Sequence, residues 1–246
     1  MSLRPDGRRA DELRPVTFEI GLQREVAGSV LVRWGHTHVL CSATLEDRVP
    51  AHRAGSGGGW LTAEYALLPG ATRPRFRRER SGVGGRTAEI QRLIGRSLRA
   101  AVDLDALGPR TLWLDCDVVQ ADGGTRCASI TGAWVAACLA LRHAAQADAR
   151  RFVPPAALAA VSVGVVGDGV LTDLDYGEDS TANVDLNYVG TPAGIVEIQG
   201  TAEGRVYTHD QLLEMVAYAD AALGTLFSAQ RLALLGAGLE LPEAHP

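Results

Sequence analysis

The sequence predicts an α+β protein built from a duplicated unit of mixed sheet plus helices, and three observations carry that expectation. Short segments of the first half alternate apolar and polar residues with period two, and a helical period then replaces them. The second half repeats the plan loosely, several strands and then a helix, although no residue-level identity between the halves proves duplication. Between them RHAAQADARRFVPP, residues 142–155, reads as a natural boundary. Residues 1–240 therefore read as a single domain of two similar halves, divided near 142–158, with a tail at 241–246. At 246 residues the chain is long enough to bury a sizeable core.

In chain order, VTFEIG (16–21), GSVLVRWG (28–35), THVLCSATLED (37–47) and WLTAEYAL (60–67) read as strands, with RAGSGGGW (53–60) as a flexible glycine loop. ATRPRFRRERSGVGG (71–85) cannot bury itself and reads as an exposed, mobile arm. A helix follows from near Arg86 or Thr87, with Ile90, Leu93, Ile94, Leu98 and Ala101 on one face and Arg92, Arg96 and Arg99 on the other, which is either a solvated face or an RNA-facing one. TLWLDCDVV (111–119) is a strand running into a Gly-Gly turn, after which Ile130, Trp134, Cys138 and Leu141 recur at helical spacing. In the second half AVSVGVV (160–166), VLTDLDY (170–176), NVDLNYV (183–189) and IVEIQGTAE (195–203) read as strands. The last helix starts at Thr208, with a capping box to Gln211 and Leu212, Leu213, Val216, Leu223 and Phe227 on its buried side.

Charge is distributed unevenly. The formal net charge is −5, yet nine arginines against Glu79 and Glu89 make residues 73–99 a +7 window and leave −12 elsewhere. Such asymmetry is the electrostatic footprint of a nucleic-acid partner. All 24 basic residues are arginine. No apolar run approaches the roughly 20 residues of a membrane helix, and the charged N-terminus has no signal-peptide core, so the expectation is a cytoplasmic protein with no membrane partner. Cys41, Cys116, Cys127 and Cys138 form no CxxC pair and lie in apolar patterns, as core thiols do.

Two segments carry candidate chemistry. In QADGGTRCASITGAW (120–134), a strand, a glycine turn and a helix N-terminus would present free N–H groups at the positive end of a helix dipole, with Thr125 and Arg126 adding a hydroxyl and a guanidinium. Read alone, Gly123 and Gly124 are equally a plain tight turn with Arg126 in solvent. LDYGEDSTANVDLNYV (174–189) holds Asp175, Glu178, Asp179 and Asp185. Glu178 reads as a solvated turn residue. Asp185 lies inside an otherwise apolar strand, on the face of Asn187, and needs an arginine or a hard cation as partner.

GGRTAEIQRLIGRSLRAAVDL (84–104), LDCDVVQADGGTRCASITGAW (114–134), EDSTANVDLN (178–187) and VEIQGTAEG (196–204), joined by RPDGRRADELRPV (4–16) and GSVLVRWGHTHVLCSATLED (28–47), closely resemble the ribonuclease PH family, in family order and from Arg4 to about Ala233. The resemblance implies the ring-forming fold shared with polynucleotide phosphorylase and exosome subunits, a two-layer α/β unit like domain 2 of ribosomal protein S5. It implies a phosphate-dependent 3′→5′ exoribonuclease that trims transfer RNA precursors and other RNA 3′ ends, releases nucleoside diphosphates reversibly, and works as a homo-oligomer, a hexameric ring formed as a trimer of dimers. Carried over, Arg86, Gly124, Thr125 and Arg126 would bind inorganic phosphate as co-substrate, and Asp179 and Asp185 would be the catalytic pair and hold a divalent metal, expected to be Mg2+, although the sequence does not fix the metal's identity. Arg73, Arg75, Arg77 and Arg78, with Arg92, Arg96 and Arg99, would face RNA. The chain departs from the family pattern at Gly70, where many relatives have Arg, at Cys127, in place of Thr, and at Asn183, in place of Glu. A noncatalytic ring subunit could dispense with phosphate loop and acidic pair, both present here. A two-metal hydrolase would leave the anion cradle idle.

Overall fold

The structure, a computed structural model, describes residues 4–241. The first half forms β1 (Val16–Ile20), β2 (Gly28–Trp34), β3 (Thr37–Glu46), β4 (Trp60–Leu67), α1 (Gly85–Ala101), α2 (Leu104–Leu107), β5 (Thr111–Gln120) and α3 (Thr125–Ala147). The second forms β6 (Ala159–Val166), β7 (Gly169–Thr172), α4 (Tyr176–Asp179), β8 (Val184–Thr191), β9 (Gly194–Ala202) and α5 (His209–Gly236). A five-stranded sheet, ordered β1-β2-β3-β5-β4, is antiparallel except where β4 runs parallel to β5, and a four-stranded antiparallel sheet is ordered β7-β6-β8-β9. Helices and strands are segregated as an α+β fold requires. Of the tail read at 241–246, residues 242–246 lie outside the described residues, as do residues 1–3.

Helix α3 is the hub. It packs on β2, β3 and β5 of one sheet and on β6 of the other, and Cys127, Ile130, Trp134 and Cys138 are all buried along it. Sitting between the two sheets buries the apolar side chains that α3 carries on every side. Gly132 allows the close approach to β2, since a Cβ there would fall 2.2 Å from Val32 Cγ2. Helix α1 covers β4, burying Ile90, Leu93, Ile94 and Leu98 as its period requires.

Two expectations need correction. α3 and α5 are each long and apolar enough by composition to cross a membrane, contrary to the sequence reading; most of α3 is buried against the two sheets. On α5 the capping box of Thr208 and Gln211 forms, but Leu213 points outward and is 67% exposed. Leu223 is buried as expected, with Leu212, Val216 and Phe227 partly buried beside it, and the stripe runs on through Met215, Ala219, Ala222, Leu226 and Leu234. A helix with leucine and alanine on every face carries little periodicity, so packing against β6, β1 and β7 chooses the stripe.

The N-terminal segment lies over the second half. Thr172 N–H donates to Ala10 O at 2.7 Å, and Arg4, Arg8 and Arg14 are all buried. Asp173, itself 1% exposed, accepts from Arg14 Nε at 3.0 Å, Arg14 Nη2 at 2.6 Å and Trp34 Nε1 at 2.9 Å. Planar guanidinium forks suit such bidentate buried pairing.

Candidate active site

The end of β5 and the start of α3 form the turn that the sequence singles out. Gly123 and Gly124 both take left-handed backbone, with φ of 73° and 65°, and a Cβ on Gly123 would fall 2.3 Å from the Leu174 carbonyl oxygen. Only glycine fits there. Gly124 is the N-cap of α3 and no side chain caps it, so the first N–H groups of the helix keep their capacity to bind an anion. The turn is held from behind: Thr37 Oγ1 donates to Gly123 O at 2.6 Å, and Arg14 donates to Asp122 O. Thr125 Oγ1 is 2.9 Å from the Tyr65 hydroxyl. Arg126 donates from Nη2 to Glu89 at 3.0 Å, while its buried Nε has no partner. Burial works against the Arg126 charge, but the carboxylates of Glu89 and Asp185 hold its pKa above the ordinary value. An arginine held charged with an N–H to spare suits an oxyanion.

The carboxylates arrive from the second half. Asp185 and Asn187 share one face of β8, opposite Gly164 and Ser162 of β6. Asn187 donates from Nδ2 to Asp185 at 3.4 Å and accepts from the Cys127 thiol at 3.4 Å. Burial, together with the charge of Asp179, pushes the Asp185 carboxyl up to about 6, against the pull of Arg126. Asp179 is also raised by burial, with Arg86 and Arg126 opposing. Burial likewise pushes the Cys127 thiol up, so it stays a neutral donor.

Glu178 corrects the sequence reading. It is 6% exposed rather than solvated. Arg4 donates to both its oxygens, from Nε at 2.6 Å and from Nη2, and Glu178 completes a capping box with Asp175 at the start of α4. This lock is invisible locally, because its partner stands 174 residues away. It fixes the turn that carries Asp179.

Arg86, Gly124, Thr125, Arg126, Asp179 and Asp185 all line one cavity of about 330 Å³. Tyr65, Arg73, Tyr176 and Asn187 line it too. Tyr65 and Glu89 were not legible as site residues, since each acts only through a contact across the fold. The arm residues Arg73, Arg75, Arg77 and Arg78 are exposed, as is Arg92. Arg96 is exposed too and is paired with Glu197 at 2.6 Å. Arg99 donates to Leu61 O at 2.9 Å and stacks 4.7 Å from the Trp60 ring centroid. Among the described residues no group of three or more His, Cys, Asp or Glu side chains could enclose a metal. The two carboxylates nonetheless fit a hard cation: they are crowded, partly buried, and Asp185 resists ionisation without a further positive neighbour.

Residues 12–145 match domain 1, and residues 156–222 domain 2, of the 3′ exoribonuclease family. Ribonuclease PH of Mycolicibacterium gilvum is 54% identical, aligning with 98% of this chain and 93% of its own. Ribonuclease PH of Roseobacter denitrificans is 51% identical, over 94% and 99%. Among solved structures, rice (Oryza sativa) Rrp46 superposes with a TM-score of 0.77 at 18% identity, over 94% of this chain and 100% of that one. A chain of the Archaeoglobus fulgidus exosome with RNA bound to the active site gives 0.80 at 23% identity, over 92% of each. These two likenesses show the fold.

Proposed function

The chain belongs to the ribonuclease PH family of 3′ exoribonucleases and is a phosphorolytic 3′→5′ exoribonuclease acting on transfer RNA; we propose that the cavity between α3 and β8 is where it does so. The observation that carries this reading is one cavity lined by both an anion cradle and a carboxylate pair. Inorganic phosphate, the co-substrate, is held by Arg86, Arg126, the Thr125 hydroxyl and the first N–H groups of α3. One of its oxygens attacks the phosphorus that joins the last two nucleotides. The 3′ oxygen of the shortened chain leaves in line and takes a proton, and the terminal nucleotide departs as a diphosphate. A phosphate ester is exchanged for a diphosphate linkage, so the site also serves the reverse extension.

The residues supply positioning and charge, which is most of what phosphoryl transfer needs. The arginines offset the repulsion between two phosphates. Asp179 and Asp185 would hold a divalent cation, Mg2+ by its preference for carboxylate and phosphate oxygens, and that ion would offset the charge growing on the leaving oxygen. Asn187 keeps Asp185 oriented, and Glu89 keeps Arg126 extended.

The exposed arginines of the arm, with Arg92, contact the RNA body, and Arg73 does so at the cavity itself. Apolar side chains left open on α5 and around β9, including Leu213, Leu232, Leu235, Ile195 and Val206, support association with further copies, and a six-membered ring, a trimer of dimers, is the assembly we propose. Four free, buried cysteines suit a reducing compartment, and we place the enzyme in the cytoplasm. Incubating a 3′-extended transfer RNA with and without phosphate tests the chemistry. Nucleoside diphosphates should appear only with phosphate; monophosphates released without it would overturn the reading.

A further inference from the structure

Tyr176 opens α4 three residues ahead of Asp179. It lines the cavity and is 62% exposed, the only Phe, Tyr or Trp among the described residues left so open. Its backbone is firmly held. Tyr176 N–H donates to Asp122 Oδ1 at 3.3 Å, and Tyr176 O accepts from Ser180 N–H at 3.0 Å. The preceding Asp175 and following Glu178 form the capping box that Arg4 locks. A large ring is thus kept in water, on a rigid backbone, beside a cavity that also holds the charged Arg86, Arg126, Asp179 and Asp185. Residues three apart on a helix are neighbours, about 5–6 Å between Cβ atoms. Tyr176 is therefore a neighbour of Asp179 on the wall of the cavity that also holds Arg86 and Arg126.

Resting on the reading of the cavity as the phosphorolysis site, we propose that Tyr176 is a positioning residue that stacks on the base of the 3′-terminal nucleotide. Stacking is blind to base identity, because every base has a π face. It would hold the nucleotide about to be released, so that the phosphorus behind it meets the phosphate on Arg86 and Arg126. The same contact would receive the base of a nucleoside diphosphate in the reverse direction.

The test uses the full-length enzyme with Tyr176→Leu and Tyr176→Phe. An RNA carrying 2-aminopurine as its terminal base is titrated without phosphate, so that it binds but is not shortened. Wild type and Tyr176→Phe should quench the fluorescence, and Tyr176→Leu should not. With phosphate present, Tyr176→Leu should raise KM for RNA, and KM for nucleoside diphosphate in reverse, by roughly tenfold, the effect of losing one base stack. KM for phosphate should not move. On an RNA whose terminal nucleotide lacks its base, wild type and Tyr176→Leu should behave alike. Equal quenching by all three enzymes, or an equal loss on the abasic RNA, would overturn the proposal. Phosphate-independent release by wild type would instead sink the reading of the site itself.

Discussion

At the scale of the residue, two side chains carry separable predictions. Arg126 faces the cavity with its charge sustained by Glu89 and one N–H unused. Arg126→Ala should lower phosphate-dependent kcat/KM by about a hundredfold or more, the roughly 2 to 4 kcal/mol of a charge-assisted contact to an oxyanion, while transfer RNA binding stays near normal. Steady-state kinetics at limiting phosphate, beside a filter-binding assay, check both halves. Asp185 titrates near 6 because burial and Asp179 disfavour its charge. Its folded pKa lies above the unfolded value of 3.8, so this group favours the fold most below that value and loses that contribution as pH rises through about 6. Activity needs the ionised form, so the sign is opposite: kcat/KM should climb through an acid limb near pH 6, and rising Mg2+ should move the limb lower. A profile flat from pH 5 to 7 would contradict a role for Asp185 at the cation.

At the scale of the element, α4 is a four-residue helix that could not persist alone, and it holds a cavity carboxylate. What secures it is the capping box and the buried Glu178–Arg4 pair. Removing one member of a buried pair leaves the other uncompensated and costs about 3–5 kcal/mol. Arg4 also donates to Thr172 O at 2.7 Å and Asp173 O at 3.0 Å, which places Glu178→Ala toward the low end. Chemical denaturation should show that loss, and kcat should fall as well, because Asp179 follows Glu178 directly. Full activity in a protein destabilised by that amount would mean that α4 does not position the site.

At the scale of the whole molecule, the acidic chain carries a basic arm, and the arm is exposed in the structure. One arm is too small to grip a folded transfer RNA, whereas several converging from a ring would neutralise many phosphates, each adding roughly 0.7 to 0.9 to the salt slope of binding. Replacing Arg75, Arg77 and Arg78 with Ala should therefore weaken structured transfer RNA far more than a short single-stranded oligonucleotide, which needs only the cavity. Binding of both RNAs across a salt series, with sedimentation to follow assembly, makes the comparison. Equal small losses on an intact ring would reduce the arm to a solvated charge cluster.

The sequence by itself determined the presence of the nine strands, the three long helices, the glycine turn ahead of α3 and the family; that the strand read over 170–176 stops at Thr172 and gives way to α4 it did not show. Those are written in local period, in glycine and in motifs long enough to be read without a fold. Tertiary structure alone decided that Leu213 of α5 faces outward, that Glu178 is locked rather than solvated, and that Tyr65, Glu89 and Asn187 hydrogen-bond Thr125, Arg126 and Asp185. It also turned Arg96 and Arg99 onto groups of the chain itself. The reason is separation along the chain. Arg4 meets Glu178 across 174 residues and Tyr65 meets Thr125 across 60. No periodicity reports such pairings.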